Sequence, residues 1–168
     1  MSKAEEKQRV HIRWQIPRDI PEILAIEREA FPYPWTEEQF IKCLRQRNCI
    51  AMVAEHGDRV VGYMVYELLK ARLQLLNFAV DADYRRQGVG RMMCDKLYNK
   101  LSATRRTKIT CEVRDGNLDA QMFFRAMGYR AVSVLRDFYD DTDEDAYLFQ
   151  RRYEPIQSLT ATNQGDQR

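Results

Sequence analysis

A chain of 168 residues is the size of one domain with a single hydrophobic core. Its 45% hydrophobic and 31% charged residues are typical of an ordinary globular protein. The formal net charge of +2 indicates neither a nucleic-acid nor a membrane partner, and no apolar run approaches the roughly 20 residues of a membrane-spanning helix.

The N-terminal residues and the cysteines indicate the compartment. The segment MSKAEEKQRV has no apolar stretch that would direct export, so we expect a cytoplasmic protein. Four scattered cysteines and two histidines favour reduced thiols and no metal site. Polar, aperiodic residues 1–8 and 156–168 are predicted to be flexible tails around a single domain of residues 9–155.

Periodicity and turn residues predict the elements in chain order. The first half is predicted to contain a strand over Val10–Ile16, a helix after Asp19, a helix from Thr36 to about Arg45, and strands over Cys49–His56, Arg59–Leu69 and Arg72–Val80. The second half is predicted to contain a helix after Gly90, a strand over Thr107–Val113, a helix over Asn117–Met127, and strands over Tyr129–Phe138 and Ala146–Tyr153. The order β-α-α-β-β-β-α-β-α-β-β has hairpins at both ends and one β-α-β crossover, which predicts an α+β fold.

The segment from Leu76 to Leu101 carries the chemistry. A strand runs into a loop and then into a helix, whose first turn leaves backbone N–H groups without partners and carries the positive end of the helix dipole. Gly88 and Gly90 allow the backbone to approach phosphate oxygens closely. Three arginines add positive charge that suits a pyrophosphate: Arg85, Arg86 and Arg91.

Other phosphate-binding motifs fit this loop less well. A Walker A loop ends in Gly-Lys-Ser/Thr, whereas this loop ends in Gly-Arg-Met. A dinucleotide fingerprint has a third glycine where this chain has Met93, although Glu112 does lie about 20 residues downstream, where a ribose-binding acid would stand. A helix cap with two glycines and no ligand is the remaining alternative.

The residues around the loop resemble the GNAT acetyltransferase superfamily. The pattern Arg85-x-x-Gly88-x-Gly90, preceded by Phe78-Ala79-Val80, is similar to the coenzyme A pyrophosphate loop of that superfamily. The similarity covers about residues 10–153 and continues in Cys111–Arg114, Asn117, Met127–Tyr129, Ala30–Pro32 and Trp35–Glu37. The last two segments narrow it to the bacterial ribosomal-protein-alanine N-acetyltransferase branch.

The resemblance implies a GNAT fold with a mixed, mostly antiparallel sheet of seven strands. It also implies that acetyl-coenzyme A (acetyl-CoA) is the co-substrate and that the site needs no metal. The strand that ends at Val80 and the strand Thr107–Val113 would part to admit the pantetheine arm. Phe78, Ala79 and Val80 would offer backbone groups to pantetheine and to the acetyl carbonyl. The implied cofactor-binding residues are Phe78, Ala79, Val80, Arg85, Arg86, Gln87, Gly88, Val89, Gly90, Arg91, Asn117 and Phe124.

The resemblance also places the general base at Glu112, although a strand-end carboxylate without a catalytic role is the alternative. Acetyl transfer needs a proton for the leaving thiolate as well. The related branch supplies this proton from a tyrosine twelve residues after the glutamate, where this chain has Phe124. Either another group or water replaces the tyrosine, or the protein binds the cofactor with little activity.

Two loops, Phe31–Trp35 and Phe138–Asp145, are predicted to border the acceptor. The implied substrate-binding residues are Tyr33, Trp35 and Tyr139. Alternatively, the first loop is a hydrophobic staple between two helices and Tyr139 is a surface residue. Five carboxylates in the six residues Asp140–Asp145 form either a solvated turn or a surface that attracts a basic acceptor.

The function that the resemblance implies is transfer of an acetyl group to a protein N-terminal α-amine, such as the N-terminal alanine of a ribosomal protein. One rival keeps the fold and has a lysine side chain or a small-molecule amine as acceptor. The other rival is a non-catalytic acyl-CoA-binding module. Neither a membrane nor a directly bound nucleic acid is expected as a partner.

Overall fold

The computed structural model describes residues 9–156, so the predicted tails lie, apart from Ile156, outside the described residues. The strands are β1 (His11–Trp14), β2 (Cys49–His56), β3 (Arg59–Leu68), β4 (Arg72–Val80), β5 (Lys108–Arg114), β6 (Arg130–Leu135) and β7 (Ala146–Arg152). The helices are α1 (Ile20–Ala30), α2 (Glu37–Leu44), α3 (Val89–Tyr98) and α4 (Leu118–Ala126). The predicted element order and the α+β class are confirmed, and two short 3₁₀ turns, Pro17–Asp19 and Ala82–Tyr84, are additional.

All seven strands form one mixed sheet in the order β1-β2-β3-β4-β5-β7-β6. Neighbouring strands are antiparallel except β4 and β5, which are parallel. This parallel pairing is short, since it joins only Arg72–Leu75 to Lys108–Cys111. Beyond Leu75 and Cys111 the two strands continue without pairing to each other, so the sheet opens at its centre as expected.

A β-bulge in β4 controls which face of the sheet each side chain occupies. Leu75 pairs with Tyr66 and Asn77 pairs with Val65, so Leu76 is an extra residue in β4. One extra residue reverses the alternation of side chains along a strand. Leu75 therefore packs in the core beneath α3 and α4, whereas Asn77 lies on the α1 side of the sheet.

Two hydrophobic cores cover the two faces of the sheet. The first lies beneath α3 and α4 and includes Met93, Leu97 and Phe124, and the second lies beneath α1 and α2 and includes Ile23 and Phe40. All four cysteines are free, as expected, and three of them contribute small buried side chains. No helix within residues 9–156 is long and apolar enough to cross a membrane.

Local capping interactions fix the starts of two helices. A capping box precedes α2, because the Gln39 amide donates to Thr36 Oγ1 at 3.2 Å and the Thr36 amide donates to Gln39 Oε1 at 2.8 Å. Asn117 caps α4, since its Oδ1 accepts from the Ala120 amide at 3.1 Å. This cap places Asn117 at the mouth of the opening between β4 and β5.

Candidate active site

A cavity of about 170 Å³ lies where β4 and β5 part. Its walls come from the diverging ends of the two strands, from α1 and α4, and from the two loops predicted to border the acceptor. Among residues 9–156, no group of three or more potential metal-ligating side chains was found. The predicted site residues that line the cavity are Tyr33, Trp35, Phe78, Glu112, Asn117, Phe124 and Tyr139.

Glu112 is a partly buried carboxylate on the cavity wall, one residue beyond the part of β5 that pairs with β4. Gln74 Nε2 on β4 donates a hydrogen bond to Glu112 Oε1 at 2.7 Å. No other described residue donates to this carboxylate, so Oε2 is left to accept a proton or a hydrogen bond from a ligand. The geometry is that of an oriented base with one free oxygen.

Glu27 is a second carboxylate on the cavity wall, and it was not among the predicted site residues. It is 1% exposed, and its oxygens accept three hydrogen bonds from three parts of the chain. The Trp35 amide donates to Oε1 at 2.8 Å, Asn77 Nδ2 donates to Oε2 at 2.9 Å, and the Tyr63 hydroxyl also donates to Oε2. Burial, with the Glu27 charge adding to it, raises the pKa of Tyr63 well above its usual value, so this hydroxyl stays protonated. Because both oxygens are occupied, Glu27 is suited to hold structure and Glu112 is the better base.

Asn77 connects Glu27 to the backbone predicted to contact the acetyl group. Its Nδ2 donates to Glu27, and its Oδ1 accepts from the Phe78 amide at 2.9 Å. The Phe78 N–H is one of the backbone groups that the resemblance assigns to the cofactor. The acetyl carbonyl can therefore bind the Phe78 N–H only if it displaces Asn77 Oδ1 or shares this N–H with it.

The predicted phosphate loop lies outside the cavity lining, at the start of α3. Gly88 has φ +85° and Arg86 has φ +59°, so the chain makes two left-handed steps before the helix begins. A Cβ on Gly90 would lie 2.9 Å from the Phe123 ring, so this glycine allows α3 and α4 to approach closely. The cluster of exposed residues that surround this helix start is Arg85, Arg86, Gln87, Gly88 and Arg91.

Three other predicted cofactor residues have buried or partly buried side chains. Val89 belongs to the core beneath α3, and Ala79 belongs to the core beneath α1. Val80 packs against the same core as Val89. Their contacts with a ligand would come from backbone groups, and pyrophosphate binding by this loop stays a prediction.

Phe124, which stands where the related branch has its tyrosine acid, is surrounded by aromatic rings. Its ring lines the cavity and packs edge-on against Tyr129, with the ring centres 5.2 Å apart. The Tyr129 hydroxyl is buried and has no hydrogen-bond partner within residues 9–156. Burial raises the pKa of Tyr129 well above its usual value. The cavity lining itself contains two hydroxyl groups, those of Tyr33 and Tyr139.

The loop Phe31–Trp35 has both of the roles considered for it. The Trp35 ring packs against Phe40 with centres 5.0 Å apart, and its amide is held by Glu27, as a staple between α1 and α2 would require. Tyr33 is exposed and lines the cavity together with Trp35. The loop is therefore a structural connection whose tip also borders the cavity.

Ion pairs occupy most of the acidic loop. Arg114 at the end of β5 contacts Asp141 at 2.7 Å and Glu144 at 3.4 Å, and Arg136 contacts Asp145 at 2.8 Å. The hydrogen bond from Arg114 lowers the pKa of Asp141. Of the five carboxylates in this loop, two have no ion pair within the described part of the chain, and these are Asp140 and Asp143.

Tyr139 lies against the same arginine. The guanidinium carbon of Arg114 is 3.7 Å from the centre of the Tyr139 ring. Burial raises the pKa of Tyr139 to about 12, although the positive charge of Arg114 opposes the shift. Tyr139 is therefore a neutral hydroxyl on the cavity wall at physiological pH and can donate a hydrogen bond.

The model of the Acetyltransferase (GNAT) family matches residues 20–129 of this chain. The chain belongs to the acetyltransferase (GNAT) family. Among its relatives, the ribosomal protein bS18-alanine N-acetyltransferase of Escherichia coli (strain K12) is 29% identical over 132 residues. That match covers 77% of this chain and 88% of the relative. The resemblance recognised in the sequence is confirmed, and this GNAT protein is an N-acetyltransferase.

Solved structures confirm the GNAT fold. Ard1 from Thermoplasma volcanium has a TM-score of 0.76 and 26% sequence identity, and the match covers 85% of this chain and 97% of that one. Arabidopsis thaliana NAA60, solved in complex with acetyl-CoA, has a TM-score of 0.76 and 19% identity, and the match covers 86% of this chain and 100% of that one. That NAA60 structure contains acetyl-CoA, the co-substrate that the sequence predicts for this chain.

Proposed function

We propose that this GNAT enzyme transfers the acetyl group of acetyl-CoA to the α-amine at the N-terminus of a protein, with Glu112 as general base. The observation that carries the proposal is the position of Glu112 on the wall of the opening between β4 and β5, with one oxygen held by Gln74 and the other free. The α-amine must lose a proton as it attacks the thioester, and the free oxygen is suited to accept it directly or through water.

An N-terminal α-amine suits a single modest base. Its reference pKa is about 7.7–8.0, compared with about 10.4 for a lysine side chain. A substantial fraction of α-amines is therefore neutral near pH 7.5, whereas a lysine needs a stronger base or a desolvated site. The cavity offers one carboxylate with a free oxygen, which favours the α-amine over lysine.

Acetyl-CoA would supply the activated acetyl group as a thioester. The exposed arginines and free backbone N–H groups at the start of α3 suit its pyrophosphate, and the opening between β4 and β5 suits its narrow arm. Asn117 has its Oδ1 engaged in the helix cap, so its Nδ2 is the group available to a cofactor. The backbone of Phe78 lies beside the opening and would face the acetyl carbonyl.

Phe124 stands where the related branch has the tyrosine that protonates the leaving thiolate, so this chain needs another proton donor. We propose that Tyr139 or water supplies the proton, since Tyr139 is a neutral hydroxyl on the same cavity wall. The alternative function, acyl-CoA binding with little or no turnover, is favoured by this one residue. It predicts tight acetyl-CoA binding and no acetylation of any amine.

The first acceptors to test are peptides that begin with alanine, because the Escherichia coli relative is named for an alanine of ribosomal protein bS18. Release of free coenzyme A thiol would be measured with acetyl-CoA and peptides that begin with Ala, Ser, Met or acetyl-Ala. Turnover of the unblocked peptides and none of the blocked peptide supports N-terminal acetylation. Turnover of an internal lysine in the blocked peptide, or of small amines alone, would replace it with the corresponding rival.

A further inference from the structure

Arg114 contacts both loops that border the cavity. Its guanidinium carbon lies 3.7 Å from the ring centre of Tyr139 and 5.0 Å from the ring centre of Tyr33. Its nitrogens contact Asp141 at 2.7 Å and Glu144 at 3.4 Å. The side chain is 19% exposed and lines the cavity. We call these five residues the acceptor clamp.

Within residues 9–156, no hydrogen bond or ion pair joins the loop 31–35 directly to the loop 138–145. Arg114 is the residue that contacts aromatic rings from both. A planar guanidinium can donate hydrogen bonds along its edges while its face stacks on an aromatic ring, and a lysine ammonium cannot do both. The chemistry of arginine is therefore what this arrangement uses.

We propose that Arg114 is a positioning residue that holds the two loops together as one wall of the cavity and so sets the affinity for the acceptor. The interpretation of this wall as the acceptor site rests on the proposed function. Acetyl-CoA is predicted to bind from the α3 side, so its affinity is expected to be independent of Arg114.

Positioning and simple electrostatics predict opposite results for a basic acceptor. The clamp contains one guanidinium and two carboxylates, and the same loop has two further carboxylates without an ion pair among residues 9–156, so the surface is net negative. Removing the positive charge of Arg114 makes this surface more negative, which on charge alone would strengthen the attraction of a cationic peptide. Loss of positioning would instead weaken binding of that peptide.

Kinetics on three variants separate these effects. Arg114→Lys keeps the positive charge but loses the planar guanidinium with its several N–H donors, and Arg114→Gln removes the charge. Arg136→Gln is the control, because it removes an exposed arginine that pairs with Asp145 in the loop 138–145. We expect both Arg114 variants to raise KM for an Ala-Arg peptide about tenfold, as loss of loop ordering would do. The Kd for acetyl-CoA in all three, and KM in Arg136→Gln, should stay within about twofold of wild type. An Arg114→Lys enzyme with wild-type KM, or a lower KM in Arg114→Gln, would overturn the proposal.

Hydrogen–deuterium exchange tests the clamp without any acceptor. The loop 31–35 contains Pro32 and Pro34, so its amides that report on the loop are those of Tyr33 and Trp35. Arg114→Lys should raise exchange in segment 138–145 and at these two amides, whereas Arg136→Gln should leave both amides at the wild-type rate. Unchanged exchange of both amides in Arg114→Lys would contradict the clamp. If wild type acetylates no peptide but the exchange result holds, the proposed acceptor is wrong and the connection between the loops stands. Arg114→Lys retains the positive charge and nearly the length of the side chain, so this variant is expected to fold even where Arg114→Gln does not.

Discussion

The hydrogen-bond network of Glu27 gives the sharpest prediction about stability. Glu27→Ala removes the acceptor for the Trp35 amide, the Asn77 amide group and the Tyr63 hydroxyl at once. These donors belong to the loop after α1, to β4 and to β3, so one carboxylate connects three elements. Glu27 is 1% exposed, so the three donors would lose their acceptor in a largely buried site.

The magnitude follows from the three donors. Each buried donor without an acceptor costs about 1–3 kcal/mol of the free energy of unfolding, so three cost at most about 9 kcal/mol. The Glu27→Ala change also removes the cost of burying the charge, so we expect a loss in the lower half of the range that three unpaired donors give, about 3–5 kcal/mol. Glu27→Gln keeps the side-chain volume and one acceptor oxygen, so we expect it to lower the free energy of unfolding by only about 1–2 kcal/mol.

Urea unfolding followed by circular dichroism measures these differences. The matched control is Glu29→Gln, on the exposed side of the same helix, which should stay within about 0.5 kcal/mol of wild type. The order of stability should be wild type, then Glu27→Gln, then Glu27→Ala. A Glu27→Ala protein that loses less than about 1 kcal/mol would refute the network as a stabilising element.

Three further predictions concern catalysis, packing and acid stability. Phe124→Tyr should raise kcat by up to roughly 10²-fold, the contribution of a positioned general acid. An unchanged kcat in a thiol-release assay would show that protonation from this position does not limit the rate. Gly90→Ala places a Cβ 2.9 Å from Phe123, so it should lower the free energy of unfolding by about 1–3 kcal/mol and weaken acetyl-CoA binding in calorimetry; wild-type values for both would contradict this packing. Burial alone would raise the pKa of Asp19, but the hydrogen bonds from Arg13 and a backbone amide lower it. A lowered pKa gives stability that is present above the unfolded-state value of about 3.9 and is lost as pH falls below it, so Asp19→Asn should flatten the acid side of the stability curve, and an unchanged slope would count against the pair.

The elements of this fold were predictable because their signals are local. Thr36 and Gln39 stand three residues apart and cap each other, and the Gly57-Asp58 turn closes the β2–β3 hairpin. The crossover from β4 through α3 to β5 also follows from the order of elements. Such features depend on neighbours in sequence, and the structure changes only their ends by a few residues.

The site residues that were missed depend on contacts between distant segments. Glu27 stands 50 residues from Asn77, and Arg114 stands 27 residues from Asp141. The sequence did contain a signal for Glu27, because this charged residue stands where the 3.6-residue period of α1 calls for an apolar one. Arg114 ends the Cys111–Arg114 segment that resembles the family, but its contacts could not be predicted, since its partners depend on how the two loops fold over the sheet.

The bulge at Leu76 explains why the residues of β4 differ in their surroundings. Simple alternation would place Leu75, Asn77 and Ala79 on one face of the sheet. The extra residue moves Asn77 and Ala79 to the α1 side, where Asn77 meets Glu27. A bulge of this kind has no clear sequence signature in a run of apolar residues.

The most direct test of the proposed function is kcat/KM for acetylation of a peptide that begins with alanine, compared between wild type and Glu112→Gln. The proposal predicts turnover by wild type and a fall of about 10²–10⁴-fold in the variant, with the Kd for acetyl-CoA unchanged. Glu38→Gln, an exposed carboxylate change on α2, is the control and should keep the wild-type rate. A Glu112→Gln enzyme that acetylates the peptide at the wild-type rate would contradict the assignment of the base.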